Sequence, residues 1–249
     1  MKKISATIAV IILCIVLSSF SFHHHHAATS PRQGFKPDYA LYDQVLQKYV
    51  SDDGKVNYKG LKEDSDFRIV LESIALMHPT ARWTRDEQKC FWINAYNMFV
   101  LKLVCDNYPL KSINEIPNAM DSNYVKIGIN YYSLNRIRNE FLLEKFNDAR
   151  ILFSLSDASV SCPPLFNHAF KPEDLEKTLN TVTRRFVNDK RYNSINSNAP
   201  KLSKVFQLYF GDLAMNETLV AFINSYSDVQ VDAKATIEYQ VYDWSLNSK

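Results

Sequence analysis

The sequence predicts a helix-rich α+β fold with a small, mostly antiparallel sheet, and three observations carry that expectation. Apolar residues recur at three- and four-residue spacing in most segments, several of those segments open on capping residues, and only a few short stretches alternate as strands do. About 220 residues follow a leader-like start, and a chain that is 46% hydrophobic and 13% aromatic can fill one substantial core. No linker or repeat interrupts it, so residues 30–249 are expected to form a single domain.

Asp38 can cap a first helix in which Leu41, Val45 and Tyr49 recur at four-residue intervals; Asp53-Gly54 then turns the chain into a short extended stretch at Val56 and Tyr58. A second helix is expected over Phe67 to Met77, before Pro79. Thr84 and Glu87 form a Thr-x-x-Glu capping box that opens a long apolar helix running to about Cys105. Ser112 and Glu115 repeat the pattern for a short helix that Pro117 ends. Val125, Ile127 and Ile129 alternate as a strand, and Ser133 can cap a helix to about Phe146. Ile151, Phe153 and Leu155 suggest a half-buried strand. Leu175, Leu179, Val182 and Phe186 then mark an amphipathic helix after Pro172. Further helices are expected after Pro200, with Val205, Leu208 and Tyr209, and after Asn216, with Leu219, Phe222, Ile223 and Tyr226. Ile237, Tyr239 and Val241 lead to a closing strand at Tyr242-Asp243-Trp244.

Residues 1–29 read as an export signal: Lys2 and Lys3 precede an apolar run from Ile8 to Leu17 and then Ser18, Ser19 and Ser21. The run is too short to span a bilayer. Cys14 follows Leu13, without the small residue that a lipoprotein site places before its cysteine, which argues against a lipid anchor. The expected location is therefore periplasmic or secreted, with membrane contact only through the signal. His23 to His26 mark its boundary as a solvated tail, with adventitious metal binding as the other reading. Of 29 basic and 27 acidic residues, removal through Thr29 deletes Lys2 and Lys3 and no acid, leaving 27 of each. A neutral chain has no general attraction to nucleic acid or anionic lipid.

The five glycines are scattered, and neither Cys-x-x-Cys nor His-Glu-x-x-His occurs, so no nucleotide cradle, metal site or other cofactor is expected. Cys90, Cys105 and Cys162 remain after processing, an odd number that excludes a complete disulfide framework. Cys162 alone falls in a loop, Ser156-Asp157-Ala158-Ser159-Val160-Ser161-Cys162-Pro163-Pro164. It is either a nucleophile or a packed thiol at a tight turn. Activation needs a nearby imidazole, another cation or a helix amino end. His168 is separated from it by two prolines, and nothing in the sequence brings His78 close. Asn94 and Asn97, on one face of the long helix, either stabilise an oxyanion or tie that helix to loop backbone. Asp157 and Glu87 are acid-base candidates or, alternatively, solvated and helix-capping acids.

Tyr42-Asp43 with Tyr49-Val50, Asp53-Gly54-Lys55-Val56-Asn57-Tyr58, Glu87 with Phe91-Trp92-Ile93-Asn94-Ala95-Tyr96-Asn97, Ser161-Cys162-Pro163-Pro164-Leu165 and Tyr242-Asp243-Trp244-Ser245-Leu246-Asn247 occur in that order. Through these motifs the chain resembles the domain-of-unknown-function family number 547 over nearly all of its mature length. The resemblance implies a thiol-centred site at Cys162, lined by Asn94, Asn97, Trp92, Glu87, Asn139, Leu152, Asp157 and Ser161. Three positions depart from the family pattern. Asn139 and Leu152 stand where that pattern has histidines, and Asp157 stands in place of a further cysteine. The resemblance with these departures implies an exported module that binds a small molecule or peptide-like ligand at a degenerate thiol site. The competing expectation is a cysteine-dependent hydrolase or acyl transferase using Cys162. The sequence contains nothing that sets an oligomeric state.

Overall fold

The computed structural model describes residues 36–209 and 219–249; the signal segment, His23 to His26 and Asn216 lie outside them. The fold is α+β and helix-rich, built around α4 (Arg85–Asn107). The capping box is formed: Glu87 N–H donates to Thr84 Oγ1 at 3.2 Å, and Thr84 N–H donates to the Glu87 carboxylate at 2.8 Å. Every residue from Lys89 to Leu101 in this helix is buried. A helix apolar on all sides belongs inside a core, and the other elements pack round it.

Helices α1 (Ala40–Tyr49) and α3 (Ser65–Ala75) contribute Tyr42, Val45, Leu46, Phe67, Val70 and Ile74 to that core. Between them Tyr58, expected in an extended stretch, instead begins the short α2 (Tyr58–Lys62), because Asn57 caps it by accepting the Gly60 N–H. Asp64 ties the group together, accepting from Phe67 N at 2.9 Å, Tyr49 Oη at 2.6 Å and Lys48 Nζ at 2.9 Å. Burial alone would raise its pKa, but the bonds from Tyr49, Lys48 and Phe67 outweigh burial and bring it from 3.8 to about 2. A carboxylate whose pKa is lowered by folding stabilises the fold fully above its unfolded value, and the contribution is lost as pH falls through the folded one. The melting temperature is therefore expected to fall on acidification from about pH 4 to about pH 2. In Asp64→Asn the fall over that window should be smaller; an identical profile would remove Asp64 as a contributor.

β1 (Val125–Ile127) and β2 (Asn130–Tyr132) form an antiparallel hairpin turning at Gly128, so Ile129 is a turn residue exposed to solvent rather than part of a strand. Ser133 caps α5 (Leu134–Arg136), as its spacing suggested, but the helix then widens into a π segment over Ile137–Glu144. The largest correction concerns Ile151 to Leu155. Its residues form a 3₁₀ turn (Ala149–Ser154), opened by Asp148, whose side chain accepts from Arg150 N. Ile151, Leu152, Phe153 and Leu155 are all buried, and a segment enclosed on every side has no solvent face to distinguish a strand from a turn.

α6 (Leu175–Asn188) buries Leu175, Leu179, Val182 and Phe186. Phe186 and Phe206 lie 5.3 and 5.5 Å from Phe153, the latter carried by α7 (Lys204–Tyr209). Phe222, on α8 (Leu219–Tyr226), stacks on Phe153 at 5.7 Å. The expected closing strand is cut to β4 (Glu238–Tyr239), which pairs in parallel with β3 (Lys201–Leu202); Val241 is exposed. Tail residues 245–248 are held instead by single bridges: Ser245 to Ser112, Leu246 to Ser159 and Ser248 to Val56. The tail thereby lies against the loop that carries Cys162.

Candidate functional site

Two amides of α4 secure the thiol loop at its two ends. Asn97 Nδ2 donates to Ser154 O at 2.8 Å, and its Oδ1 accepts from Ser156 N at 3.0 Å. Asn94 treats Phe170 in the same way, donating to its O at 2.8 Å and accepting from its N at 3.0 Å. Both side chains are buried. Three-residue spacing puts them on one helix face, and the residues they grip bracket the segment containing Cys162.

Within that segment Ala158 takes a positive φ of 67° at the turn after Asp157, a conformation costly for a residue with a Cβ. Cys162 is buried. Its Sγ lies 3.2 Å from Ser156 Oγ, 3.1 Å from Ser159 O and 3.3 Å from Pro163 O. Carbonyl oxygens favour the protonated thiol, which can donate to them, over a thiolate. Burial first, and then the charge of Asp157, push the Cys162 thiol well above its ordinary range.

The Asp157 carboxylate is itself buried and saturated with donors. Oδ1 accepts from Ser159 N at 2.9 Å and Ser159 Oγ at 2.5 Å; Oδ2 accepts from Tyr242 Oη at 2.7 Å. Burial, with the neighbouring Cys162 and Asp157, holds the Tyr242 phenol far above its usual value. The result is a closed set of hydrogen bonds among Asp157, Ser159 and Tyr242.

Space opens on both sides of the thiol. On one side is a cavity of about 20 Å³, bounded among others by Tyr96, Arg138, Leu152, Asp157 and Tyr242, room for roughly one water. On the other is a cleft of about 300 Å³ between the Asp53-Gly54-Lys55 turn, the loop Ser159 to Cys162, Arg191-Tyr192 and the tail. A further apolar cavity of about 210 Å³ between α1 and α3 shares no lining residue with these two.

Cys162, Asp157 and Leu152 line the small cavity, and Cys162 and Ser161 line the cleft. Asn94 and Asn97 act on the loop backbone. Like those two asparagines, three other expected residues line neither space. Glu87 is held in the α4 capping box and pairs with Lys36 at 2.6 Å. Trp92 stacks on Phe141 at 4.5 Å within an aromatic cluster that includes Phe91 and Tyr132. Asn139 is exposed, and its neighbour Arg138 lines the cavity instead. Both sit on the π segment, where the wider turn rotates side chains away from the positions a 3.6-residue period assigns. His78 and His168, the histidines among the described residues, line neither space; His168 lies 3.3 Å from Asp43.

Sequence reasoning did not assign Tyr242, Arg138, Lys55 or Arg191 to the site. A signal existed for Tyr242, because a buried aspartate requires donors from somewhere in the chain. Residues 80–187 match the model of a family described as a protein of unknown function, DUF547. That span contains α4, both asparagines and Cys162, whereas Lys55, Arg191 and Tyr242 lie beyond it. No curated protein and no solved structure matches the chain.

Proposed function

We propose that this chain, whose residues 80–187 match the DUF547 family model, is an exported ligand-binding module whose thiol site no longer performs thiol chemistry. One observation carries the reading: Cys162 is buried among carbonyl oxygens beside a carboxylate, while Leu152 and Arg138 line its cavity in place of an imidazole. A thiol needs a base or a cation to become a nucleophile; Arg138 lines the cavity, but burial and the charge of Asp157 dominate at Cys162 and oppose the required negative charge. The cleft on the other side of Cys162 supplies a volume suited to a small ligand. Export is supported by Lys2 and Lys3 followed by the apolar run Ile8 to Leu17.

Alkylation with iodoacetamide, followed by mass mapping of the Cys162 peptide, tests the reading. Cys162 should react at pH 8 at least tenfold more slowly than in the urea-unfolded chain, since each unit of upward pKa removes about tenfold of thiolate. Its rate should continue to rise above pH 9. In Leu152→His, an imidazole enters the small cavity and the profile should move toward lower pH; Asn139→His, being exposed, should leave it unchanged. Rapid alkylation of the unsubstituted protein at pH 6 would overturn the proposal and favour a cysteine-dependent hydrolase or acyl transferase.

A further inference from the structure

We propose that the cleft beside Cys162 receives a small peptide-like ligand by its carboxylate, which binds between Lys55 and Arg191. This assignment rests on the ligand-binding reading above and adds the chemical class of the ligand. Lys55 Nζ and Arg191 Nη1 approach the same oxygen, Asp53 Oδ2, at 3.6 and 3.9 Å. Both separations exceed a hydrogen bond, and among the described residues neither nitrogen has a closer acceptor. The other edge of Arg191 is fixed by Asp189, which accepts from Nη2 at 2.6 Å and from Nε at 3.0 Å. Arg191 therefore presents Nη1 to the cleft from a braced position. Asp53 is the sole acid among the lining residues; Ser51 Oγ holds its Oδ1 at 2.5 Å, so Oδ2 is the oxygen whose long contacts to both cations an incoming carboxylate would replace.

The remaining surfaces suit a short peptide rather than a bare ion. Val160, Leu246 and Pro164 offer apolar contact. Ser161 Oγ accepts from Asp243 N at 2.8 Å, which leaves its O–H to donate. A volume of about 300 Å³ holds a residue or two, and Arg with Lys recognises carboxylate by charge and geometry together.

Val160, 44% exposed in the cleft, can carry a reporter thiol. In Val160→Cys, the rates of an anionic (sulfonatoethyl) and a cationic (trimethylammonioethyl) methanethiosulfonate are compared at low salt with their rates on N-acetylcysteine amide. The anionic reagent should be favoured by roughly tenfold over that reference, the size expected for a net positive charge several Å away in water. Lys55→Gln, which leaves Arg191 balanced by Asp53 among the lining residues, should bring the ratio close to the reference, and Lys55→Gln with Arg191→Gln should invert it. Millimolar N-acetyl-alanyl-alanine should slow labelling, and its C-terminal amide should not. On the unsubstituted protein the same two peptides are read by NMR shifts of the Ser161 and Tyr192 amides, which removes any dependence on how the Val160→Cys variant folds. A reagent ratio equal to the reference, or equal responses to acid and amide, would overturn the assignment. Fast labelling of Cys162 itself at pH 6 would instead count against the silent thiol and leave the carboxylate site standing.

Discussion

Asn97→Leu is expected to destabilise the protein by roughly 2–5 kcal/mol, because leucine keeps the volume and removes both hydrogen bonds to the thiol loop. Ser154 O and Ser156 N lie on buried residues, and each group left without a partner costs about 1–3 kcal/mol. For a domain of this size the loss corresponds to a fall in melting temperature on the order of 5–15 °C. Urea denaturation measures the first quantity and calorimetry the second. The loop should also loosen at its Ser154 end, so alkylation of Cys162 should quicken in the variant. A stability loss below about 1 kcal/mol would mean that water or neighbouring backbone replaces the amide.

Gly54→Ala is expected to be comparably damaging, for a reason that belongs to the cleft itself. Gly54 has a φ of +84°, and a Cβ there would lie 2.5 Å from Pro164 Cβ, 2.7 Å from Pro164 Cα and 2.9 Å from Leu165 N. The left-handed conformation costs roughly 1–2 kcal/mol for alanine, and the overlap with rigid proline and backbone about 1–3 kcal/mol more. Gly128→Ala is the matched control. Its φ is +61°, but the nearest atom to an added Cβ is 3.8 Å away, so only the conformational part applies. Gly54→Ala should therefore unfold at clearly lower urea than Gly128→Ala. Equal midpoints would show that the turn and the thiol loop can move apart, and that the close approach of Gly54 to Pro164 does not shape the cleft.

The helices were legible because their signals are local. The Thr84 and Glu87 box, the Ser133 cap and the spacing of Leu175, Leu179, Val182 and Phe186 each concern residues within a few turns, whereas the expected Asp38 cap gives way to Tyr39 at the N-cap of α1, Asp38 accepting from Ala40 N instead. The same reading failed at Ile151 to Leu155, where complete burial removed the contrast between faces; Asn139 was expected in the site by resemblance, and on the π segment it is exposed. The demand of Asn94 and Asn97 for partners could be read from two amides in an apolar helix, whereas the identity of those partners could not.

By itself, the sequence determined the helix-rich class, the position of α4, the lone loop thiol and the absence of imidazoles at residues 139 and 152. These depend on composition, periodicity and which side chains are present. Only the tertiary structure decided that Asn97 and Asn94 hold opposite ends of the thiol loop. It alone brought Tyr242 onto Asp157 across 85 positions of chain and Lys55 and Arg191 into one cleft. The physical reason is that a hydrogen bond or charge pair acts over a few Å of space, and separation along the chain says nothing about that distance until the core is packed.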